Sequence, residues 1–422
     1  MTITRLDVGE ASAHMLAGQS ALGSEEVLLA RALGRVLARD VVSPVSLPPW
    51  DNASMDGYAV RAADVVGASE STPVRLRIVE TIAAGRRGTR VIGQGEAARI
   101  MTGAPVPDGA DSVVRVEDTA PGANVDEVSI RDDRDASRNV RARGEDVRAE
   151  AIVMRNGTPI GPAHVGVLAS VGCAVPLVYR RPRVAILATG DELVPLEGFA
   201  AVRAGERIVS SNSYSLEAAV LAAGGEPVPL GIAPDEPGAL ARCLRGAEGC
   251  DMVLTSGGVS VGDFDYTRQV VSALGGELSL WRVRMRPGAP LGFGRLFGVP
   301  WLGLPGNPVS ALVTFELFAR PLLRVLGGHR RPHRRAVQVT LDDDVQLAAP
   351  LTHYLRAVLT SEPGGAMRAS LTGPQSSGML TSMAAADALV VVAGDRTTVP
   401  RGSILPAILL DGDMTGSERF CG

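Results

Sequence analysis

The feature that most constrains the fold is a regular alternation of short apolar runs and amphipathic segments between residues 182 and 327. The runs RVAILA, EPVPLGI, DMVLTS and LSLWRVRM have the character of strands, whereas NSYSLEAAVLAAGG has helical spacing, a polar start and a glycine end. After its first residue RVAILA is a continuous apolar run, which is typical of a parallel strand buried on both faces. The segment PVSALVTFELFARPLLRVLGG predicts a closing helix. The pattern predicts a three-layer α/β domain.

The flanking parts of the chain have different patterns. Helical spacing at Val8 to Ala17 and at Ser24 to Ala38 predicts two helices, and residues 162–180 predict a helix and a short strand. Short β runs separated by Gly and Pro turns occupy residues 50–146 and return after Pro332. We therefore predict a multidomain α/β and β chain in four parts: a helical linking region at 1–48 plus 147–181, a β-rich inserted domain at 49–146, the α/β domain at 182–327, and a C-terminal β domain at 328–422.

Composition excludes several classes of function. The net charge of −4 gives no support for nucleic-acid binding through a basic field. All 42 basic residues are arginine, so neither a P-loop lysine nor a Schiff-base lysine is available. Four scattered cysteines argue against a zinc site or a disulfide framework. No signal-peptide pattern and no apolar run of membrane-spanning length is present, which predicts a soluble, cytoplasmic protein without membrane insertion.

Three loops that follow predicted strands have unusual content. Thr189-Gly190-Asp191-Glu192 follows RVAILA, TSGGVSVGDFDYT (255–267) follows MVL, and Pro305-Gly306-Asn307-Pro308 follows the strand at 300–304, with Ser310 in the next helical turn. Because ligands bind beyond the carboxyl ends of the strands in open parallel sheets, we expect the loops to form one site.

The glycines and helix N-termini of these loops favour a ligand that contains phosphate. Neither GxGxxG nor GxxxxGK[ST] occurs, so the site is neither a standard dinucleotide site nor a P-loop. The carboxylates Asp191, Glu192, Asp263 and Asp265 would suit Mg²⁺ bridging to phosphate oxygens. Each could instead be a helix N-cap or first-turn acid, and for Asp191 that alternative stays open.

A further segment, WRVRMRPGAPLGFG, carries three alternating arginines. Along a single strand Arg282, Arg284 and Arg286 would share one face, which suggests an oxyanion-binding surface. An edge strand with solvated charges is the alternative.

Six motifs together resemble one family, the MoeA molybdopterin molybdenumtransferases, which are related to the C-terminal domain of gephyrin. They are DNASMDGYAV (51–60), MTGAPVPDGADSVVRVED (101–118), RARGEDV (141–147), ATGDELV (188–194), LTSGGVSVGDFDYT (254–267) and GLPGNPVSALVTFELF (303–318). The resemblance implies an elongated subunit that forms a homodimer, with a MogA/MoaB-like α/β domain and a C-terminal β-barrel. A MogA-like adenylyltransferase is a candidate partner.

The implied reaction transfers molybdenum from molybdate to the dithiolene of adenylyl-molybdopterin, with release of AMP and with Mg²⁺ or a similar divalent ion. By position, Asp265, Glu192, Asp56 and Asp146 are the implied catalytic residues, and Glu192, Asp263 and Asp265 the metal ligands. The β-rich domain is implied to reach the site across the dimer interface. The implied substrate-binding residues are Thr102, Arg141, Gly190, Asp191, Asp235, Ser256, Gly257, Gly258, Ser260, Gly262, Arg286, Pro305, Gly306, Asn307, Arg356, Ser376 and Ser377.

One departure from the family concerns the segment Arg286-Pro287-Gly288-Ala289-Pro290, where members often have KPGKP. Arg286 keeps a positive charge, but the Ala289 side chain cannot donate to an oxyanion. Either Arg282, Arg284 or Arg356 supplies that donor, or molybdate binds weakly. A gephyrin-like scaffold that binds a filament or membrane-receptor protein is therefore the alternative function, and tungstate is an alternative oxyanion.

Overall fold

The computed structural model describes residues 5–258, 266–348, 350–362 and 365–410. Its central unit is a seven-stranded sheet in which all strands but Pro290–Leu296 run in one direction. In spatial order the strands are Arg5–Leu6, Glu277–Val283, Pro290–Leu296, Val299–Leu304, Met252–Ser256, Arg183–Thr189 and Glu226–Ala233. The strand–helix alternation was predicted, but the antiparallel direction of Pro290–Leu296 was not. This strand departs from the alternation because a short loop, rather than a helix, joins it to Val299–Leu304 as a hairpin.

Helices cover both faces of this sheet. Val184 and Ile186 of one strand pack with Leu216 and Val220, whereas Ala185 and Leu187 of that strand pack with a second set of helices on the opposite face. The helices of the unit are Phe199–Arg203, Ser211–Ala222, Pro237–Arg245, Tyr266–Ala273 and a continuous one made of Pro308–Thr314, the π-helical Phe315–Ala319 and Arg320–Leu326. The predicted three-layer α/β domain is confirmed.

The first strand and helix of the chain belong physically to this unit. Arg5 and Leu6 pair with Arg282 and Val283, and the helix Val8–Leu16 buries Ala11 and Met15 in the core of the α/β domain. The helix itself was predicted from its spacing. Its docking against the α/β domain, rather than within the linking region, was not predicted, because amphipathic spacing does not identify the partner surface.

The linking region is less helical than its sequence predicts. A helix over Ser24 to Ala38 is wrong: Ser24–Glu26 is a strand paired with Leu177–Tyr179, and Leu29–Arg31 is a short 3₁₀ turn. Gly34 has φ +75°, a conformation that ends any helix there. The apolar residues instead meet the helix Pro162–Ser170 in a small core. A second ladder joins Val41–Val42 to Ile152–Met154.

The β-rich domain contains a six-stranded sheet with a hydrophobic core on each face. Its strands, in spatial order, are Ser112–Arg115, Gly57–Val60, Glu96–Ile100, Val74–Ile82, Glu127–Ile130 and Thr119–Pro121. The short helix Ala62–Val65, the 3₁₀ turn Val116–Asp118 and the ladder of Asn52–Ala53 with Val140–Arg141 complete it.

The C-terminal unit is a closed five-stranded barrel, as the resemblance implied. The ring runs through Thr352–Ser361, Met367–Leu371, Ala336–Leu341, Ile404–Leu409 and Ala388–Val392, which pairs again with Thr352–Ser361. The α/β domain adds the short strand Met285–Arg286 to this ring, with Arg286 opposite His353. Smaller elements are Leu193–Val194, Leu196–Gly198, Ile208–Val209, Val345–Gln346, Leu380–Ala384 and Thr398–Val399.

None of the helices within the described ranges combines the length and the apolar character that a membrane crossing needs.

Candidate functional site

Four parallel strands of the α/β sheet end at the same edge, and a cavity of about 720 Å³ lies beyond them. The residues following each strand line it, so the predicted convergence of the loops is what the geometry shows. We call this the sheet-edge cavity. Its lining includes Gly190, Glu192, Asp235, Ser256, Gly257, Gly258, Pro305, Gly306, Asn307 and Ser310.

The turn after the strand Met252–Ser256 requires glycine at two consecutive positions. Gly257 and Gly258 have φ +93° and +63°, and a Cβ on Gly257 would lie 2.5 Å from the carbonyl oxygen of Thr189. A Cβ on Gly258 would lie 2.3 Å from Oγ1 of Thr267. The backbone therefore passes close to the neighbouring strand, which leaves its amide groups at the cavity wall.

Two carboxylates line this cavity, and a third lies beside them. Glu192 and Asp235 line it, and the backbone N–H of Asp235 donates to Oδ1 of Asp191 at 3.1 Å. Burial, and after it the charges of Asp191 and Glu192, raise the pKa of Asp235 above its ordinary value. Arg207 donates to the carbonyl oxygen of Asp191. The wall thus holds concentrated negative charge, the arrangement that a hard cation neutralises.

The other predicted residues of this loop, Ser260, Gly262, Asp263 and Asp265, lie outside the described residues. Within the ranges that the structure covers, no group of three His, Cys, Asp or Glu side chains is arranged to hold a metal ion. The metal set of Glu192, Asp263 and Asp265 therefore stays a prediction.

Sequence reasoning missed Asn212, a buried residue of the helix Ser211–Ala222. Its Nδ2 donates to Oγ of Ser256 at 2.7 Å and to the carbonyl oxygen of Gly306 at 2.8 Å, so it ties two of the loops together. The signal was the polar SSNS at the helix start, where an amide is more often a solvated cap.

A second cavity of about 680 Å³ adjoins the first and extends to the barrel. Pro290, Asn307 and Ser310 line both, and we call it the barrel-side cavity. Nδ2 of Asn307 donates to Oγ of Ser377 at 3.1 Å, a contact that joins the α/β domain to the barrel. The predicted Arg286, Ser376 and Ser377 line this cavity.

The barrel-side cavity has the opposite charge character. Of its described lining residues, only Arg286 carries a full charge, and no carboxylate is among them. The remaining polar groups are the side chains of Asn307, Ser310, Gln346, His353, Tyr354, Gln375, Ser376 and Ser377. A cation surrounded by neutral donors is suited to an oxyanion.

Arg356 lies beneath this cavity rather than in its wall. The side chain is fully buried, with Nε donating to Oγ of Ser382 at 2.5 Å and Nη2 donating to the carbonyl oxygens of Pro374 and Ser376 at 3.1 and 3.2 Å. Burial lowers its pKa. Nη1 is buried without a hydrogen-bond partner. Arg356 thus supports the loop that carries Ser376 and Ser377.

The three arginines do not line one common cavity. The strand Glu277–Val283 ends before Arg284, which lies 3.7 Å from Asp7 and lines a different cavity, beside the N-terminal helix. Arg286 belongs to the barrel ring, and Arg282 stays in the α/β sheet opposite Arg5. Burial still alternates, since Val283 and Met285 are buried and the arginines between and beside them are not, but the chain passes from one sheet to another at residue 284.

The four predicted residues of the β-rich region are not at either cavity of the described single chain. Oδ1 of Asp56 accepts bonds from the backbone N–H and Oγ1 of Thr102, at 2.7 and 2.6 Å, and these bonds lower the pKa of Asp56. Arg141 pairs with Asn52 in a short ladder, and the backbone N–H of Asp146 donates to the carbonyl oxygen of Leu47. Asp56 and Thr102 thus form one exposed polar pair.

Three family models match the chain in sequence order. They are the MoeA N-terminal region (domain I and II) over residues 6–172, a probable molybdopterin binding domain over 185–325, and the MoeA C-terminal region (domain IV) over 338–410. The chain is 40% identical to molybdopterin molybdenumtransferase 2 of Mycobacterium tuberculosis, over 90% of this chain and 93% of that protein. It is 32% identical to the molybdopterin molybdenumtransferase of Staphylococcus aureus, over 98% of this chain and 97% of that protein.

A solved structure is similar to this chain over nearly its whole length, as the family models and relatives are. A crystal structure of the molybdopterin biosynthesis moeA protein from Pyrococcus horikoshii superposes with a TM-score of 0.82 at 28% identity, covering 96% of this chain and 100% of that one. The similarity therefore includes all four parts of the chain.

Proposed function

This chain belongs to the MoeA family, and we propose that it is a molybdopterin molybdenumtransferase, which inserts molybdenum from molybdate into adenylyl-molybdopterin with release of AMP. The observation that carries this proposal is the pair of adjoining cavities with opposite chemistry. One offers glycine turns and carboxylates, and the other offers an arginine and neutral donors. A phosphorylated pterin and an oxyanion have to meet in this reaction, and the shared residues Pro290, Asn307 and Ser310 mark the place.

In the sheet-edge cavity the glycine turns would admit the phosphates of the pterin substrate to backbone N–H groups. Glu192, together with Asp263 and Asp265, would hold Mg²⁺, since the donors are the hard oxygens that this ion takes. Bound there, the ion would supply positive charge against the phosphate oxygens of substrate and leaving AMP. Asp191 and Asp235 keep the wall acidic, and Asn212 holds the loops in register.

In the barrel-side cavity Arg286 would bind and orient molybdate through charge-assisted hydrogen bonds, with Ser376 and Ser377 as hydroxyl donors. Arg356 would keep the serine loop in place from below. The two substrates would meet beside Asn307, where the α/β domain and the barrel touch.

We further propose a homodimer in which Asp56, Thr102, Arg141 and Asp146 of one subunit reach the sheet-edge cavity of the other. The support is that Asp56 and Thr102 form an exposed, organised carboxylate–hydroxyl pair that lies outside both cavities of its own subunit. A gephyrin-like scaffold is the weaker alternative, because the relatives that match this chain are named as molybdenumtransferases.

Complementation tests the function. The chain is expressed in a bacterium that lacks its own molybdenumtransferase, and a molybdenum-dependent reductase is assayed at low and high molybdate. We expect restored reductase activity, and no restoration by Glu192→Gln expressed at the same level. Soluble wild-type protein that restores nothing at either concentration would contradict the proposed activity.

A further inference from the structure

The barrel-side cavity holds less positive charge than its proposed ligand needs. Molybdate carries two negative charges, and among the described lining residues only Arg286 is a permanent cation. Within the part of the chain that the structure describes, its guanidinium makes no ion pair. Ala289 lines the same cavity and brings no donor. Arg284 lies beside Asp7 and lines another cavity, and Arg356 is buried outside the lining, where its Nη2 donates to carbonyl oxygens of the serine loop.

His353 is the titratable side chain beside Arg286. The two residues are opposite each other on adjacent strands, His353 is 5% exposed, and both line the cavity. Nε2 of His353 lies 3.3 Å from the carbonyl oxygen of Ala348. A carbonyl oxygen can only accept, so Nε2 carries the hydrogen and Nδ1 is the free nitrogen of the neutral ring.

We infer that His353 takes up a proton at Nδ1 when an oxyanion enters the barrel-side cavity, and so becomes the second cationic donor to molybdate in this chain. The inference rests on the proposed function, and it assigns to His353 the role of oxyanion donor that the side chain of Ala289 cannot fill. Binding is then a coupled event, in which the dianion and one proton enter together. Discrimination in favour of doubly charged oxyanions follows, because a singly charged ion is already balanced by Arg286.

The surroundings of His353 favour a change of charge state on binding. The elements packed against it present Arg286 from the adjacent strand, Tyr354 from its own strand and Val392 from the strand on the other side. No carboxylate among the described lining residues would hold the proton in the empty site. Burial, and the charge of Arg286, lower the pKa of His353 in the free protein, whereas its bond to Ala348 opposes that shift. A dianion reverses the balance by raising the pKa.

The test is calorimetric titration of the full-length protein with sodium molybdate alone, at pH 6.5 and 7.5, in two buffers with different ionisation enthalpies. We expect uptake of about one proton per molybdate and a dissociation constant that rises about tenfold over this interval. His353→Gln keeps a side-chain N–H for the Ala348 carbonyl but cannot be protonated, so its affinity is weak and independent of pH. Ala289→Lys, added to His353→Gln, restores tight binding at both pH values.

Each other result overturns the inference in a recognisable way. Molybdate that binds the wild type without proton uptake would mean that Arg286 and neutral donors suffice. An unchanged pH dependence in His353→Gln would assign the proton to another group. If His353→Gln is unfolded by circular dichroism, the wild-type proton count alone decides. If molybdate binds at neither pH, the inference is refuted. The proposed function would be refuted as well only if the protein also failed to form cofactor from adenylyl-molybdopterin.

Discussion

The two cavities differ in the kind of charge that their walls carry, although they share three residues. The sheet-edge cavity is built from strand ends of one sheet, with glycines at the backbone and Glu192 and Asp235 in the wall. The barrel-side cavity is assembled from two domains and contains Arg286 but no carboxylate among its described residues. Two anionic substrates can occupy neighbouring sites if one is bound through a cation and the other directly by arginine. The difference would give each anionic substrate its own site, next to that of the other.

The largest expected effect concerns the origin of the acidic groups. We expect Asp56→Ala and Glu192→Gln each to lower transfer at least about 100-fold, through loss of a positioned acid or base at Asp56 and of a proposed Mg²⁺ ligand at Glu192. In the proposed dimer, co-expressed subunits that each carry one of these changes would form mixed dimers with one intact site, because Asp56 and Glu192 of a site would come from different subunits. Differently tagged, purified mixed dimers should regain about half of the wild-type rate. Inactive mixed dimers would mean that the β-rich domain does not complete the partner's cavity.

A second prediction separates the two cavities. Arg286→Ala should raise the molybdate concentration needed for half-maximal activity about 10- to 100-fold, since a hydrogen bond to a charged group contributes about 1.5–3 kcal/mol. Binding of adenylyl-molybdopterin, measured by fluorescence of the pterin, should not change. Arg284→Ala is the matched control, because it removes the same type of side chain two positions away, from another cavity. An effect of Arg286→Ala on pterin affinity would show that the cavities are one site.

The glycine turn offers a stability comparison inside the sheet-edge cavity. Gly257→Ala forces a side chain into a left-handed conformation against Thr189 and should destabilise the protein by about 1–3 kcal/mol. Gly306→Ala is the control, since its Cβ would lie no closer than 3.7 Å to its nearest neighbour, the Cα of Gly257. Thermal unfolding followed by circular dichroism compares them. Equal transition temperatures would contradict the close approach of the two strands.

The smallest expected effect is a gain in stability. The pKa of Asp235 is raised above its ordinary 3.8, so the folded protein holds that proton more tightly than the unfolded chain. Its ionisation therefore costs stability at neutral pH, and the cost disappears below pH 3.8, where both states are protonated. Asp235→Asn should stabilise the protein at pH 7 by less than about 1 kcal/mol, because the site is partly solvated. Glu236→Gln, at the adjacent acid and N-cap residue of the helix Pro237–Arg245, should not stabilise the protein. Lower stability of Asp235→Asn would mean that the carboxylate is needed as an acceptor.

The sequence allowed the sheet-edge cavity to be predicted better than the barrel-side one. Strand-end loops of a parallel sheet meet at one edge by topology, so Gly190, Gly257 and Asn307 could be grouped without coordinates. The barrel-side cavity depends on a chain that leaves one sheet at Arg284 and joins another at Arg286, a change that period-two spacing does not reveal. His353 could not be predicted as a site residue either, because only this change of sheet places it opposite Arg286.

The errors in predicting the fold from the sequence have a related cause. Ser24 to Ala38 has helical spacing, but pairing with Leu177–Tyr179 and the left-handed Gly34 outweigh that local preference. The N-terminal helix was predicted correctly, whereas its partner surface was not. Local periodicity predicts elements, and contacts between distant segments decide where they pack.

The most direct test of the central claim is a transfer assay with purified protein, adenylyl-molybdopterin and molybdate, in which AMP release and active molybdenum cofactor are both measured, with Mg²⁺ and with the ion chelated. We expect AMP and cofactor in equal amounts with Mg²⁺, and neither after chelation. We also expect the Arg286→Ala variant to form both products only when the molybdate concentration is raised. AMP release without cofactor, or cofactor formation at an unchanged rate after chelation, would contradict the account of two cavities with complementary charge.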